Sequence, residues 1–324
     1  MAPAPTTPDS VVAIVISMSA LWDVAGKSLG GRRRRRCAAS DQYPTVSSDA
    51  VGEWVAEPGR QVVARRYRLR SLLGRGGMGW VWLADDEVLH RPVALKQVLL
   101  IDPGSAATHT AAWTLALKEA RAAARVDHVG VVKIYDVVEE DRCPWIVMEL
   151  LSGRTLGEAV TAAGPLPVHR VTRVGLCLLD VLQATHHAGM VHRDVKPGNV
   201  YLCDGGRVVL TDFGIASSIG DADPATGPFR GSPPYLAPEL LDGGHAGPAS
   251  DLYSLGATLF AGVEGRPPFD GDSLLATLAA MASDAPAPFL RAGPLRAVIE
   301  GLLATDPGRR MNAGQARAAL RAIR

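Results

Sequence analysis

The chain has 324 residues, 47% of them apolar, and a formal net charge of +1, enough for one large core or two modest ones in a soluble globular protein of enzyme size. Residues 1–60 carry seven basic and six acidic side chains, leaving 27 of each sign in the remainder, so the body has no basic footprint and nucleic acid is not an expected partner. Cys37, Cys143, Cys177 and Cys203 lie far apart, with neither CxxC pairing nor zinc-type clustering, which predicts a reduced cytoplasmic protein without disulfides or structural metal.

Residues 1–60, rich in Ala, Pro, Ser and charge, predict a disordered, low-complexity extension. Its one apolar stretch, Val11 to Trp22, is shorter than the ~20 residues that a spanning helix needs. A secretory leader fits no better, because the first basic residue is Lys27 and the run Arg32 to Arg36 follows the apolar stretch instead of preceding it. Those arginines read as a solvated linker in preference to an anionic-lipid contact, so no membrane contact is expected.

From Tyr67 the pattern becomes regular. Strand-like alternation runs to about Leu100, an Ala-rich helical stretch lies near Thr114 to Val126, and strands are expected around Val131 and Trp145. After Leu156 the periodicity is mainly helical: Val168 to Ala188, Ser250 to Val263, Leu274 to Ala282, Leu295 to Leu303 and Gln315 to Ile323. A loop-and-hairpin region from His192 to Glu239 interrupts it. The expected fold is α+β and bilobal: a small β-rich lobe with one key helix over about 67–149, a larger α-helical lobe over about 152–324, and a cleft between them.

The segment from Leu73 to Val81 holds Gly74, Gly76 and Gly79 in G-x-G-x-x-G order, with Gly77 also inside the loop. Glycines there let backbone N–H groups approach phosphate oxygens without obstruction by a Cβ. A dinucleotide site would need a helix to follow; here a strand follows, which points to a phosphate-covering hairpin loop. Further on comes Val93-Ala94-Leu95-Lys96, where the two-residue period puts Ala94 and Lys96 on one face. Ala94 is small enough to admit adenine and Lys96 is placed to hold the α- and β-phosphates. A buried ammonium needs a partner, and Glu119 on the Ala-rich helix is the best-placed carboxylate.

The strongest signal is His192-Arg193-Asp194-Val195-Lys196-Pro197-Gly198-Asn199, followed by Tyr201 and by Thr211-Asp212-Phe213-Gly214. β-Rich runs flank Asp204-Gly205-Gly206, and a two-residue loop at Gly205-Gly206 would pair 204 with 207 and, continued outward, 199 with 212. Asn199 and Asp212 would then share Mg²⁺, a hard ion that prefers oxygen ligands. Asp194 reaches the same volume as catalytic base or hydroxyl-orienting group, and Lys196 neutralises charge on the transferring phosphoryl. The chain holds five lysines against 29 arginines, and two of the five stand at these phosphate positions, where a compact ammonium suits better than a guanidinium fork.

The ordered set of glycine loop, VALK, HRDVKPGN, DFG and Ala237-Pro238-Glu239, spanning about Tyr67 to Arg324, resembles the protein kinase family, and its wording resembles the bacterial Ser/Thr branch. The resemblance implies Asp194 as catalytic base, Asn199 and Asp212 as magnesium ligands, Lys96 and Glu119 as an activating ion pair, and Met148 as gatekeeper. It implies an adenine site bounded by Leu73, Val81, Ala94 and Tyr201, with a hinge from Glu149 to Leu151. ATP and Mg²⁺, with Mn²⁺ as a substitute, are the implied cofactors. Lys196 within DxKPxN implies Ser/Thr specificity on protein substrates. Glu239 is expected to pair with Arg310, and Asp251 to brace the catalytic loop.

Arg193 before Asp194 resembles kinases activated by loop phosphorylation, and Thr226 is the expected regulatory phosphosite among Ser217, Ser218, Thr226 and Ser232, phosphorylated in trans through a transient homodimer. Ser232 is expected to bond the catalytic Asp and Lys instead. Trp80 and Tyr201 stand where other residue types are usual, and each is expected to affect nucleotide affinity. A catalytically dead scaffold would lack Lys96, Asp194 or Asp212, and none is missing. A small-molecule phosphotransferase would not need the Gly-Ser-Pro-Pro-Tyr and Ala-Pro-Glu segments, which match a peptide-docking platform.

Overall fold

A computed structural model describes residues 61–76, 79–98, 106–213, 233–241, 243–271, 274–282 and 286–323. The N-terminal extension, Gly77 and the loop hydroxyls Ser217, Ser218, Thr226 and Ser232 lie outside the described residues.

The alternating segments form β1 (Val62–Val63), β2 (Tyr67–Gly76), β3 (Gly79–Asp86), β4 (Arg91–Val98), β5 (Ile134–Glu140) and β6 (Cys143–Met148). These make one antiparallel sheet in the order β1-β2-β3-β4-β6-β5. Alternation sorts its side chains: Tyr67, Leu69, Trp82, Leu95, Trp145 and Val147 pack together on one face, while Leu73, Val81, Ala94 and Met148 pack on the other. The one small-lobe helix among the described residues, α1 (Ala106–Arg125), rests Leu115, Ala116 and Ala120 against Val98 and Ile146. It starts well ahead of Thr114, since the alanine-rich stretch before Trp113 has high helix propensity. Val131 makes only an isolated bridge, to Leu210, and β5 begins later than expected, at Ile134.

The large lobe contains α2 (Leu156–Ala163), α3 (Val168–His187), α4 (Pro238–Leu241), α5 (Pro248–Glu264), α6 (Leu274–Ala282), α7 (Leu295–Leu302) and α8 (Ala313–Ala322). Helix α2 is set by a capping box in which Thr155 accepts from Glu158 N and Glu158 accepts from Thr155 N. Helix α5 is buried from Ser250 to Glu264 and forms the lobe's axis, packed against α3 and α7. A helix apolar nearly all round has no solvent face, and its polar residues turn inward to specific partners.

A second, three-stranded sheet comprises β7 (Gly153–Thr155), β8 (Val200–Cys203) and β9 (Val208–Leu210). Its register corrects the sequence pairing by one residue. Leu202 faces Val208, Tyr201 faces Val209 and Val200 faces Leu210, and Thr211 N donates to Asn199 O at 2.9 Å. Asn199 therefore lies opposite Thr211, with Asp212 one step beyond. The cause is a three-residue loop: Cys203 N donates to Arg207 O, Gly206 N donates to Cys203 O, and Gly206 takes the left-handed conformation at φ 78°.

Arg310 ties the start of α4 to the rest of the lobe. Its guanidinium is bidentate to Glu239 at 2.7 and 2.9 Å and also donates to the carbonyls of Ala304, Thr305 and Ala249. The Arg310 side chain is 1% exposed, so removing Glu239 leaves a buried guanidinium without its counter-ion. Glu239→Ala is expected to destabilise the fold by about 3 kcal/mol, measured as a drop in the denaturant midpoint, whereas Arg296→Ala, which breaks an exposed pair with Glu300, should change it by less than about 0.5 kcal/mol.

Candidate active site

One ammonium joins three elements. Lys96 on β4 shares a sheet face with Ala94, and its buried Nζ lies 2.6 Å from Glu119 Oε1 on α1 and 2.7 Å from Asp212 Oδ1 beyond β9. Burial pushes the Lys96 ammonium down, but the Asp212 and Glu119 carboxylates outweigh it and hold the group well above its usual value. The two carboxylates divide. Burial raises both, and attraction to Lys96 leaves Asp212, which also faces Lys196 and His192, below its ordinary range. Glu119 stays above its ordinary range, because burial and the Asp212 charge exceed the pull of Lys96.

The second cluster is the loop from His192 to Asn199. Lys196 Nζ donates to both Asp194 oxygens at 2.8 and 2.6 Å, and Asn199 Nδ2 donates to Asp194 O and Oδ2, each at 2.8 Å. Asn199 Oδ1 is buried and has no partner. Buried Asp251, near the start of α5, accepts from His192 N at 2.9 Å, Arg193 N at 2.8 Å and His186 Nε2 at 2.7 Å. Those bonds hold Arg193 at φ 70°, a left-handed conformation that costs about 1–3 kcal/mol in a non-glycine residue, and Asp212 is similarly at φ 54°. His192 Nε2 bonds Thr211 O at 3.2 Å and His192 Nδ1 accepts from Asp194 N at 3.3 Å, which fixes a neutral ring, tilted at 46° to Phe213 with ring centres 4.7 Å apart.

Leu73, Val81, Ala94, Met148, Leu151 and Tyr201 close into one apolar cluster with Val132 and Val209, so residues of both lobes meet there. Gly74 and Gly76 of β2 face Val81 and Gly79 of β3 above it. Tyr201 is fully buried and its hydroxyl donates to Gly153 O at 2.9 Å. Trp80 is placed elsewhere: it packs beside Trp82 with Arg75 5.3 Å over its ring, on the sheet face opposite Val81. The two-residue alternation already contains that answer, since neighbours on a strand point oppositely.

This arrangement of a glycine hairpin, an ion-paired lysine, a carboxylate flanked by Lys and Asn, and a left-handed Asp after β9 coincides with a homology match: residues 67–319 fit the protein kinase domain. The chain belongs to the protein kinase family. It is 40% identical over 211 residues to serine/threonine-protein kinase PknL of Mycobacterium tuberculosis, covering 65% of this chain and 52% of that protein. It is 39% identical over 265 residues to serine/threonine-protein kinase PknA of the same organism, covering 77% of this chain and 59% of PknA. Against serine/threonine-protein kinase PrkC of Bacillus subtilis the identity is 38% over 212 residues, 65% of this chain and 32% of PrkC. The chain thus spans from a third to three-fifths of the length of these relatives.

Kinases of this family use ATP and Mg²⁺, and the residues fit the ion. Because the Asn199 amide N–H₂ is committed to Asp194, its buried oxygen is left as an acceptor awaiting a ligand. Among the described residues no three His, Cys, Asp or Glu side chains assemble a metal cage. No helix among them is long and apolar enough to cross a membrane. The sequence pairs Lys96 with Glu119 but not with Asp212, and it gives no sign of Arg207, which reaches Glu149, the residue after β6.

The neutral state of His192 has a pH consequence. Burial depresses the ring's affinity for protons below the ordinary histidine value near 6.5. Above that pH both folded and unfolded chains hold it neutral; below it the unfolded chain protonates first, so stability is lost as pH falls from about 6.5, at up to about 1.4 kcal/mol per pH unit. Urea midpoints measured from pH 7.5 to 5 should show that slope, and it should be shallower in His192→Gln.

Proposed function

We propose that this chain is a serine/threonine protein kinase that moves the γ-phosphoryl of MgATP onto Ser/Thr hydroxyls of proteins. The observation that carries the reading is the Asn199 side chain. Its nitrogen is spent on Asp194 and its buried oxygen is unpartnered, while its backbone carbonyl pairs with Thr211, the residue before the Asp212 that holds Lys96. Asn199 and Asp212 would hold Mg²⁺, which when bound neutralises phosphate oxygens and orients them. Lys96 offers its ammonium to the α- and β-phosphates, and Glu119 keeps that ammonium in place. Adenine enters the pocket of Ala94, Val81, Met148, Leu151 and Tyr201, with its polar edge against the backbone of Glu149 to Leu151.

Asp194 accepts or orients the proton of the attacking hydroxyl, and Lys196, already on its carboxylate, lies beside the path of the transferring group. His192, Phe213 and Asp251 fix the loops that carry Asp194 and Asp212. Lys196 within the DxKPxN segment, and relatives named as serine/threonine kinases, support Ser and Thr as acceptors. Thr226 is the proposed regulatory site, modified in trans between two copies, with its phosphate pairing with Arg193. The cysteine pattern supports a cytoplasmic setting.

Mapping phosphosites on purified protein incubated with MgATP tests this. Wild type should incorporate phosphate on Ser/Thr, Thr226 among them, while Asp194→Asn should lose at least about 100-fold in rate and still bind nucleotide. Equal silence of both proteins, with added protein substrate as well, would overturn the assignment.

A further inference from the structure

The chain crosses between the lobes from Met148, the last residue of β6, to Gly153, the first of β7. Both ends of this crossing are fastened to one hairpin of the large lobe. At the far end Asp204 N donates to Ser152 O at 3.1 Å and Tyr201 OH donates to Gly153 O at 2.9 Å. Gly153 is required there: its φ is 124°, and a Cβ would stand 2.2 Å from Leu202 O. At the near end the Glu149 carboxylate accepts from Arg207 Nη2 at 2.7 Å and from Lys133 N at 2.8 Å. Asp204, Tyr201 and Arg207 all belong to the β8–β9 hairpin or its turn.

The far-end contacts include three backbone groups, Asp204 N, Ser152 O and Gly153 O. The near end instead rests on a particular pair of side chains. Their exposures are 30% for Arg207 and 12% for Glu149, so solvent screens the pair only in part. Arg207 Nε is buried without a partner, which leaves Glu149 to hold the guanidinium. Arg207 reaches it because the left-handed turn at Gly206 starts the return strand beside Cys203. Glu149 in turn has its side chain fixed by two donors and its N–H fixed by Lys133 O at 2.9 Å. A residue held at both side chain and backbone has little freedom left to lose when a ligand docks on the adjacent backbone.

We propose that Arg207 is a positioning residue of the nucleotide site: through Glu149 it locks the interlobe crossing in the conformation that receives the purine. The inference rests on the kinase reading above. Its test is titration calorimetry of MgADP, with steady-state kinetics in ATP, on wild type, Arg207→Ala, Glu149→Gln and the double variant. Glu149→Gln keeps an acceptor for Lys133 N–H and removes the charge that Arg207 needs.

Each single variant should weaken MgADP binding about fivefold to tenfold, the range expected for loss of one charge-assisted hydrogen bond acting through preorganisation. In Arg207→Ala the KM for ATP should rise by a similar factor while kcat stays within about twofold. The double variant should be no weaker than either single one, since the two residues act as one unit. Unchanged affinity in Arg207→Ala, or additive losses in the double variant, would overturn the proposal. So would a fall in melting temperature without nucleotide that accounts for the lost binding. Wild type that binds no MgADP would instead overturn the kinase reading and this inference with it.

Discussion

The buried ammonium of Lys96, with Glu119 on one side and Asp212 on the other, is the interaction on which the site depends. Each of the three comes from a different element: strand β4, helix α1, and the segment after β9. An isolated cation at that depth would cost several kcal/mol, so the helix and the Asp212 segment must both approach for the lysine to remain charged. The same constraint leaves one carboxylate under-compensated, because two buried anions share one cation. Arriving phosphates would add anionic charge there, and magnesium on Asp212 and Asn199 would supply the cation that the pair lacks.

Strain in the neighbouring loop has a comparable source. Arg193 and Asp212 adopt left-handed conformations that are costly for residues carrying a Cβ. They persist because buried Asp251 accepts two consecutive backbone N–H groups at His192 and Arg193, and because Lys96 holds Asp212. The neutral His192 ring lies between the two loops, accepting from Asp194 N and bonding Thr211 O. Helix α5, buried from Ser250 onward, supplies the rigid base for that network. Stability is thus spent on conformations that only tertiary partners can sustain.

The family resemblance places two surfaces of the small lobe in different roles, and alternation along β3 separates them. Val81 joins Ala94, Met148 and Tyr201 under the glycine hairpin, whereas Trp80 and Trp82 pack into the opposite face with Trp145. An unusual residue next to a phosphate-binding loop therefore need not touch the ligand. Tyr201, by contrast, packs in the same buried cluster as Val81 and Ala94, and its hydroxyl finds a carbonyl partner at Gly153, as a buried phenol requires.

Amino-acid order alone indicated the bilobal α+β fold, most of the large-lobe helices and the candidate site residues, because periodicity, glycine spacing and the HRDVKPGN and DFG strings are local properties of the chain. The helices at 168–187, 248–264 and 274–282 lie within a few residues of their expected limits, since buried apolar stripes recur at fixed intervals. The pairing of Lys96 with Glu119 was legible too, since a buried charge demands a counter-ion. Tertiary structure decided what depends on exact backbone course. It set the hairpin register, shifted by one residue at the left-handed Gly206. It brought Asp212 onto Lys96, and it carried Arg207 to Glu149 across 58 positions of sequence. Such contacts follow from where two loops end in space, and no local residue preference encodes that.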